Sequence, residues 1–329
     1  MAKKQMPNDF VLAITYNCNS KCRMCNIWKN EQMSDLDLEQ LAKLPKTIKE
    51  VNITGGEPFL SNNLTPLIKL LNEKNPQVRI IISSNGFATQ LIREKMQEIV
   101  KIKPDIGIGI SLDGIGQAHE QVRGIPGGYE KVLATIKVLQ ELGITNLRLA
   151  FTAGDYNIDQ LNKVYQLAND LGVEFTLAAV HNAENYFNTV DNKINKTNEF
   201  KKEFNQLIKQ ELKTWNIKRW LRAYFAYALY QFISQGKRLL PNYSGLDNIF
   251  IDPSANVYPA DVSGHLMGNL KGFDSFTQLY QADKAQKAIA LEQTNQNWMI
   301  CTARSAMKKH FLQVFMWVFR AKFFGIKLK

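Results

Sequence analysis

The chain has 329 residues, of which 45% are hydrophobic and 22% charged, enough to bury one large α/β core and a smaller appendage. Its four cysteines argue against a disulfide framework. The net charge of +11 suits phosphate-bearing substrates, nucleic acid or anionic lipid, although such a charge is more often general surface solvation. Residues 1–9 are polar and basic and the apolar run after them is short, so we expect no signal peptide and a cytoplasmic protein.

A cysteine cluster follows the first apolar run directly. Cys18, Cys22 and Cys25 form a C-x3-C-x2-C pattern after the strand-like residues 10–16. Three thiolates can hold three irons of a cubane cluster, whereas a fully protein-ligated cluster needs four, so one iron would stay open to an outside ligand. The alternatives are a zinc half-site at Cys22 and Cys25, for which no second Cys/His pair lies nearby, and simple buried thiols.

Strand-like and helix-like segments then alternate in the manner typical of βα units and a parallel sheet. The predicted strands are residues 10–16, 50–54, 78–83, 106–111, 146–152 and 173–178. The predicted helices are residues 36–44, 64–74, 89–100, 129–142 and 158–171. Ser34, with Asp37 three residues later, is the candidate N-cap of the first helix, and Gly143 and Gly172 are C-cap signals for the last two.

Polar loops follow four of these strands. Besides the cysteine loop they read Gly55-Gly56-Glu57-Pro58, Ser83-Ser84-Asn85-Gly86 and Ser111-Leu112-Asp113-Gly114. Paired glycines permit close backbone approach to a ligand, and the proline stiffens the turn. In a barrel all four loops would face one mouth. Turn chemistry alone accounts equally well for the Asn-Gly and Asp-Gly pairs.

The cysteine motif together with Gly-Gly-Glu-Pro resembles the radical S-adenosylmethionine (SAM) enzymes. This resemblance implies a partial (β/α)6 TIM-type barrel over residues 1–185 and one [4Fe-4S] cluster on Cys18, Cys22 and Cys25. It also implies that SAM binds the open iron and is cleaved to a 5'-deoxyadenosyl radical. The protein then supplies binding and orientation, while the cofactors carry the radical chemistry.

The resemblance extends to the later loops. Ser83-Ser84-Asn85 resembles the family's loop beside the ribose and methionyl part of SAM. SLDGIGQAHEQVRG resembles the S-x-D-G…H-x-x-x-R stretch of its SPASM/twitch branch. Ser111 is expected to bond a ribose hydroxyl and Arg123 to pair with the SAM carboxylate. His119 is a candidate proton-transfer group, with capping or packing as the more ordinary role. The full predicted cofactor-binding set is Gly55, Gly56, Glu57, Pro58, Ser83, Ser84, Asn85, Ser111, Asp113 and Arg123.

After residue 185 the pattern changes to a helical connector, residues 186–240, and then to a smaller α+β domain, residues 241–303. The stretch GLDNIFIDPSANVYP at residues 245–259 resembles the hairpin of SPASM/twitch domains. Those domains hold an auxiliary cluster on cysteines, but the corresponding positions here are Asn242, Ala260 and Asn297, and only Cys301 remains. We therefore expect one cluster, since mixed ligation with the help of Asp261, His265 or His310 is unusual.

The missing auxiliary cluster bears on the reaction. Without it a two-electron oxidation is less favoured, and epimerisation, rearrangement or radical addition gain support. Cys301 is a candidate hydrogen-atom donor to a substrate radical, or else a buried small hydrophobe.

The last segment, residues 304–329, is predicted as one basic, aromatic helix without an acidic residue. Its cations after Arg304 are Lys308, Lys309, Arg320, Lys322, Lys327 and Lys329, and its aromatic residues are Phe311, Phe315, Trp317, Phe319, Phe323 and Phe324. The apolar run at 311–319 is too short to span a bilayer. The helix either lies in a membrane interface or docks on the barrel. No nucleic-acid partner is expected, since no RNA- or DNA-reading module accompanies the charge.

These features predict a radical SAM enzyme that acts on a carbohydrate or glycolipid, taken as a small-molecule or lipid-linked substrate. The segments AVHNAENYF and WLRAYF resemble members associated with cell-surface glycan pathways. The alternatives are a peptide-modifying maturase and a non-catalytic scaffold. We also expect a reducing partner such as flavodoxin or ferredoxin, and a cytoplasmic location with peripheral contact to the inner face of the membrane.

Overall fold

The structure, a computed structural model, describes residues 6–30, 34–326 and 328. Six parallel strands form its first part and pair in chain order, each with the next. They are β1 (Asp9–Ala13), β2 (Glu50–Thr54), β3 (Arg79–Ser84), β4 (Gly107–Ser111), β5 (Asn146–Ala153) and β6 (Glu174–Ala179). This confirms the six predicted strands and the partial TIM-type barrel. The first strand ends at Ala13 rather than Tyr16, because Thr15 leaves the sheet for an isolated bridge with Asp35.

Alternation along the strands separates a core face from a lumen face. Val51 and Ile53 of β2 are buried in the main hydrophobic core, whereas Asn52 and Thr54 line a cavity inside the barrel. Other strands repeat this pattern and direct Ser83, Ser111 and Thr152 into the same cavity. Because these lumen positions are polar, the barrel interior keeps a cavity and is not filled by hydrophobic core side chains.

Helices cover the outer face of the barrel. They are α1 (Leu38–Ala42), α2 (Leu64–Lys74), α3 (Thr89–Ile102), α4 (Gln117–Arg123), α5 (Gly128–Glu141) and α6 (Leu161–Asp170). In α2 the residues at helical spacing, Leu64, Leu67, Ile68 and Leu71, are buried against the sheet. Gly143 and Gly172 follow α5 and α6 with φ of 77° and 67°, which confirms the predicted glycine caps.

The first helix begins later than predicted. Asp37 is its N-cap, and the Asp37 carboxylate accepts the Glu39 N–H at 3.0 Å. The preceding residues are held extended, since the Leu36 N–H donates to the Ile14 carbonyl at 2.8 Å. The prediction of Ser34 as the cap is therefore wrong.

The predicted helical connector is divided into separate helices. They are α7 (Glu184–Phe187), α8 (Thr197–Leu212) and α9 (Ile217–Gln235). The Asn216 side chain accepts the backbone N–H groups of Lys218 and Arg219, and this cap starts α9 anew after a turn.

The C-terminal hairpin continues the barrel sheet. It comprises β7 (Asn248–Ile251), β8 (Asn256–Tyr258) and β9 (Gly268–Asn269), and the helices α10 (Phe276–Gln281) and α11 (Asp283–Glu292) follow it. Strand β7 pairs in parallel with β1, while β8 pairs antiparallel with β7. One nine-stranded sheet, in the order β6-β5-β4-β3-β2-β1-β7-β8-β9, thus crosses the predicted domain boundary at residue 241. Since β1 lies between β2 and β7, the cysteine loop after β1 is flanked by the barrel and by the hairpin.

The tail forms two helices, not the single predicted one. They are α12 (Ile300–Lys309) and α13 (Phe311–Phe324), separated at His310. Phe311, Phe315 and Phe319 are about half exposed, so they do not plug the barrel. Lys327 and Lys329 of the predicted tail lie outside the described residues, as do residues 1–5 of the polar N-terminal segment. None of the helices within the described ranges is both long and apolar enough to cross a membrane.

Candidate active site

A cavity of about 260 Å³ opens where the strands of the barrel end. The predicted residues that line it are Cys18, Cys22, Cys25, Gly55, Gly56, Ser83, Ser84, Asn85, Ser111 and Arg123. The structure therefore brings all four predicted loops to one wall. Three predicted cofactor-binding residues, Glu57, Pro58 and Asp113, are buried behind that wall instead.

The two glycines of Gly-Gly-Glu-Pro are required by the cysteine loop. A Cβ on Gly56 would lie 2.3 Å from the Asn17 carbonyl oxygen, and one on Gly55 would lie 2.5 Å from that of Thr15. The Gly56 N–H donates to Thr15 and the Glu57 N–H to Asn17, both at 2.8 Å. The loops after β1 and β2 are thus joined by backbone hydrogen bonds immediately before Cys18.

The three thiols at the mouth form no disulfide, and hydrogen-bond donors lie beside their sulfurs. The Arg123 Nη1 and the Ile27 N–H point at the sulfurs of Cys22 and Cys25, each at 3.5 Å, and the Ser20 hydroxyl lies 3.0 Å from Cys22 Sγ. Burial raises the pKa of Cys18 and of Cys25 to about 12. Hydrogen bonds to sulfur are one way in which a protein tunes an iron–sulfur cluster, so the loop fits such a group.

The zinc alternative finds less support in this geometry. Among the described residues, no three His, Cys, Asp or Glu side chains converge closely enough to hold a single ion. A cubane binds each thiolate through a different iron, which requires more widely spaced sulfurs than a mononuclear centre does.

Glu57 links the Gly55–Pro58 loop to the Ser83–Gly86 loop by hydrogen bonds. It is fully buried, and its carboxylate accepts the Ser84 hydroxyl at 3.0 Å, the Asn85 N–H at 2.7 Å and the Phe59 N–H at 3.2 Å. Burial raises its pKa to about 7 even though the three donors favour the carboxylate. Its side chain holds the Ser84–Asn85 backbone in place, a positioning role in contrast to the predicted cofactor contact.

Arg123 and Asp113 form a buried ion pair beside the cysteines. Arg123 Nε lies 2.5 Å from Asp113 Oδ2, and Asp113 Oδ1 accepts the Thr152 N–H at 2.7 Å. Although burial opposes it, the Asp113 charge holds the pKa of Arg123 above its ordinary value. Arg123 therefore connects the β4 loop to Cys22, a contact that sequence analysis did not anticipate, and its predicted contact with SAM stays a prediction.

His119 takes the more ordinary of its two predicted roles. Its Nδ1 accepts the Asp113 N–H at 3.1 Å, and the ring is fully buried. Burial, with Arg123 nearby, lowers the pKa of His119 to about 3. The imidazole is thus neutral and acts as a structural acceptor.

A second wall of the cavity was missed by sequence analysis. It contains His181, Tyr186 and Phe187 from the segment after β6 and Asp261 from the loop after β8. His181 Nδ1 lies 3.0 Å from the Ala179 carbonyl, while its buried Nε2 has no partner among the described residues. Three of these residues, His181, Tyr186 and Phe187, belong to the segment AVHNAENYF, whose family resemblance was the sequence feature that could have indicated them.

Cys301 lies behind this second wall. Its thiol contacts the Asp261 carboxylate at 3.9 Å and does not line the cavity. Burial raises its pKa well above the ordinary value. Asp261 lines the cavity whereas Cys301 does not, so the position fits a buried small hydrophobe better than the predicted direct hydrogen-atom donor.

The other positions at which the resemblance places auxiliary-cluster cysteines carry hydrogen-bonded asparagines or an apolar side chain. Asn242 donates to the Glu292 carbonyl at 2.8 Å, and Asn297 donates to the Glu292 carboxylate at 2.8 Å. Ala260 is buried, and His310 lies 2.9 Å from the Tyr243 hydroxyl. The polar side chains at these positions therefore have hydrogen-bond partners within the protein.

The partial parallel barrel and the three cysteines at its mouth are typical of barrel proteins that bind a cofactor there. Residues 12–168 match the Radical SAM superfamily, whose enzymes use a [4Fe-4S] cluster and SAM.

Similar proteins include pre-heme d1 synthase of Dinoroseobacter shibae, which is 31% identical over 173 residues, covering 49% of this chain and 40% of that protein. GTP 3',8-cyclase of Alkaliphilus oremlandii is 29% identical over 175 residues, with 50% and 53% covered. The sporulation killing factor maturation protein SkfB of Bacillus subtilis is 26% identical over 173 residues, with 51% and 41% covered. The chain thus spans only about half the length of the curated relatives it matches.

Solved structures share the fold. Native anSMEcpe with bound AdoMet has a TM-score of 0.64 at 16% identity, covering 96% of this chain and all of that one (100%). Streptococcus suis SuiB bound to S-adenosylmethionine has a TM-score of 0.63 at 15% identity, covering 86% of this chain and 68% of that one. At these identities the likeness concerns the fold alone.

Proposed function

We propose that this chain cleaves SAM reductively at one [4Fe-4S] cluster held by Cys18, Cys22 and Cys25. The observation that carries the proposal is the convergence of three unpaired thiols with the Gly55–Gly56, Ser84–Asn85 and Ser111 loops around one cavity. When bound, the cluster would supply one electron to the SAM sulfonium, which yields the 5'-deoxyadenosyl radical.

The residues of this chain have distinct tasks in that reaction. Gly55 and Gly56 bring backbone to the edge of the cavity, and Ser111 offers a hydroxyl there. Glu57 fixes the Ser84–Asn85 loop from behind. Arg123 places a cation between Asp113 and Cys22. Tyr186 and Phe187, whose ring centroids lie 4.6 Å apart, give the cavity an aromatic wall.

The proposed substrate is a carbohydrate or a lipid-linked sugar. Polar lumen residues support this, because Asn52, Thr54 and Thr152 offer hydrogen-bonding groups at the barrel interior, and Asp261 and His181 line the same cavity. A redox-neutral outcome such as epimerisation or radical addition fits a chain in which Asn242, Ala260 and Asn297 replace the auxiliary cysteines. Flavodoxin or ferredoxin remains the proposed electron donor, in the cytoplasm.

Peptide modification is the second candidate. SkfB is named as a maturation protein, and SuiB has been solved with a precursor peptide. These names favour a peptide substrate, whereas the polar lumen favours a sugar.

The cluster is tested first by iron content. Anaerobically reconstituted protein should hold about four irons and four sulfides per chain, as one cubane requires, and should form 5'-deoxyadenosine with dithionite. The Cys18→Ala/Cys22→Ala/Cys25→Ala variant should lose both properties. Cys301→Ala is the matched control and should keep the iron, since that thiol is buried outside the cavity. A cubane that persists in the triple variant would refute the assignment.

The substrate class is tested by isotope transfer. A carbon-deuterated nucleotide sugar or lipid-linked sugar, and a deuterated peptide, are each incubated with the reduced enzyme and SAM. Deuterium in 5'-deoxyadenosine from the sugar alone supports the proposal, and deuterium from the peptide alone decides for the maturase alternative.

A further inference from the structure

The C-terminal helix α13 has two apolar faces. Val314, Val318 and Ala321 pack toward α8 and α9 and are at most 8% exposed. The opposite face carries larger side chains that are 47% to 76% exposed, namely Leu312, Phe315, Met316, Phe319 and Phe323. Their spacing of three and four residues places them on one stripe. On these two faces the helix therefore buries small residues and leaves larger ones in solvent.

A tryptophan from another element extends this stripe. Trp215, in the turn between α8 and α9, is 76% exposed, and its ring centroid lies 6.4 Å from that of Phe323. We call Trp215 and the five exposed residues of α13 the outer aromatic face. Scattered exposed hydrophobic residues are ordinary, but a contiguous patch of this kind marks an interaction site.

Cations border the outer aromatic face. Lys322 Nζ lies 4.4 Å from the centre of the Trp215 ring. Arg320 of α13 is exposed beside the face, and Lys213 is exposed just before the turn that carries Trp215. Between Arg304 and Phe324 the chain has no acidic residue. By contrast, Lys308 and Lys309 already pair with Glu50 and Asp247, so the sequence overstates the free charge of the tail.

The cations beside the outer aromatic face discriminate between two kinds of partner, a second copy of this chain and a membrane surface. A second copy docked through the same face would bring like charges together, which disfavours association. An anionic membrane offers acyl chains to the aromatic residues and negative headgroups to Arg320 and Lys213. We propose that the outer aromatic face docks on an anionic membrane surface, with α13 lying in the plane of the headgroups. This inference does not rest on the proposed reaction.

Vesicle flotation of the full reconstituted chain tests the proposal. Vesicles of phosphatidylcholine with roughly a third phosphatidylglycerol should carry the protein upward. The Leu312→Ser/Phe315→Ser/Phe319→Ser variant should partition at least tenfold less. Arg320→Gln should bind the anionic vesicles roughly fivefold less, the change expected for one surface cation.

Matched controls keep the result interpretable. Val190→Ser and Leu291→Ser remove apolar side chains that are 69% and 54% exposed elsewhere, and both should bind like wild type. The milder Leu312→Ser/Met316→Ser variant, which changes two of the most exposed positions, guards against misfolding of the triple variant and should also bind less. Absence of wild-type binding, equal binding to neutral vesicles, or a concentration-dependent dimer that the triple variant abolishes would each overturn the proposal.

Discussion

Arg123 shows how one side chain can serve both the fold and the site. Its partner Asp113 is fully buried, and the same guanidinium reaches Cys22. Removal of one partner from a buried pair costs more than the pair contributes, because the other charge stays desolvated. Substitution of Arg123 therefore tests folding before it tests SAM binding.

We expect Arg123→Ala to lower the free energy of unfolding by about 3 to 5 kcal/mol, since it leaves Asp113 buried without its cation. Urea denaturation of the cluster-free protein measures this. Arg93→Ala, which breaks an exposed pair with Glu141, should cost at most about 1 kcal/mol. Adding Asp113→Asn to Arg123→Ala should recover part of the loss, and strictly additive effects would contradict the pairing.

Glu57 predicts a pH dependence of stability. Its pKa is raised by burial from an ordinary 4.5 to about 7, so the folded protein binds a proton that the unfolded chain releases. The stability that comes from this proton is fully present below pH 4.5 and is lost as the pH rises through about 7. Between those limits the contribution falls by about 3 kcal/mol.

Comparison with Glu57→Gln isolates that contribution. The difference in unfolding free energy between wild type and Glu57→Gln should fall by about 2.5 kcal/mol from pH 5 to pH 7.5. The exposed Glu98→Gln is the control and should follow the wild-type curve. A difference that is independent of pH would show that Glu57 is ionised in the folded protein throughout.

At the level of elements, the contact between the loops after β1 and β2 is packed too tightly to accept a larger side chain. Gly56 lies where a Cβ would meet the Asn17 carbonyl at 2.3 Å and the Cys18 Cβ at 2.8 Å. Backbone atoms cannot move aside as a flexible side chain can. The cysteine loop therefore depends on this glycine for its position.

Gly56→Ala should destabilise the protein by about 1 to 3 kcal/mol, the usual cost of overpacking, and should lower the iron content after reconstitution. Iron analysis and denaturation of the same sample measure both effects. Gly264→Ala meets no atom within 4 Å and should change neither property. Full iron content in Gly56→Ala would mean that the loop tolerates displacement.

At the scale of the whole molecule, α13 contributes to stability through its inner face only. Val314 and Val318 are buried, Trp317 stacks on Tyr227 at 4.6 Å between ring centroids, and Lys322 donates to the carbonyls of Leu212 and Thr214. The helix thus packs on the protein and also closes the end of α8.

Truncation after His310 should therefore lower the unfolding free energy by about 3 to 6 kcal/mol, the value of burying two valine-sized side chains. The Leu312→Ser/Phe315→Ser/Phe319→Ser variant keeps the inner face and should stay within about 0.5 kcal/mol of wild type. Thermal and urea unfolding distinguish the two. Equal destabilisation by both would mean that the outer residues are part of the core.

The sequence by itself determined the barrel and most of one cavity wall. Apolar runs followed by Cys18, Gly55, Ser84 and Ser111 are local patterns, and parallel topology forces all such strand ends to one mouth. Glycine caps at Gly143 and Gly172 were equally local. These predictions succeeded because each depends on a short segment and on a general rule of parallel sheets.

Tertiary structure alone decided which side chains face the cavity and which lie behind it. Glu57 and Asp113 belong to motif loops, yet each carboxylate turns inward because distant backbone N–H groups, of Asn85 and Thr152, attract it. Asp261 joins the site only because β7 pairs with β1, more than two hundred residues apart in the chain. Such contacts join segments far apart in sequence, so no local pattern encodes them. The two faces of α13 follow the same logic, since only packing on α8 and α9 determines which apolar side is left for a partner.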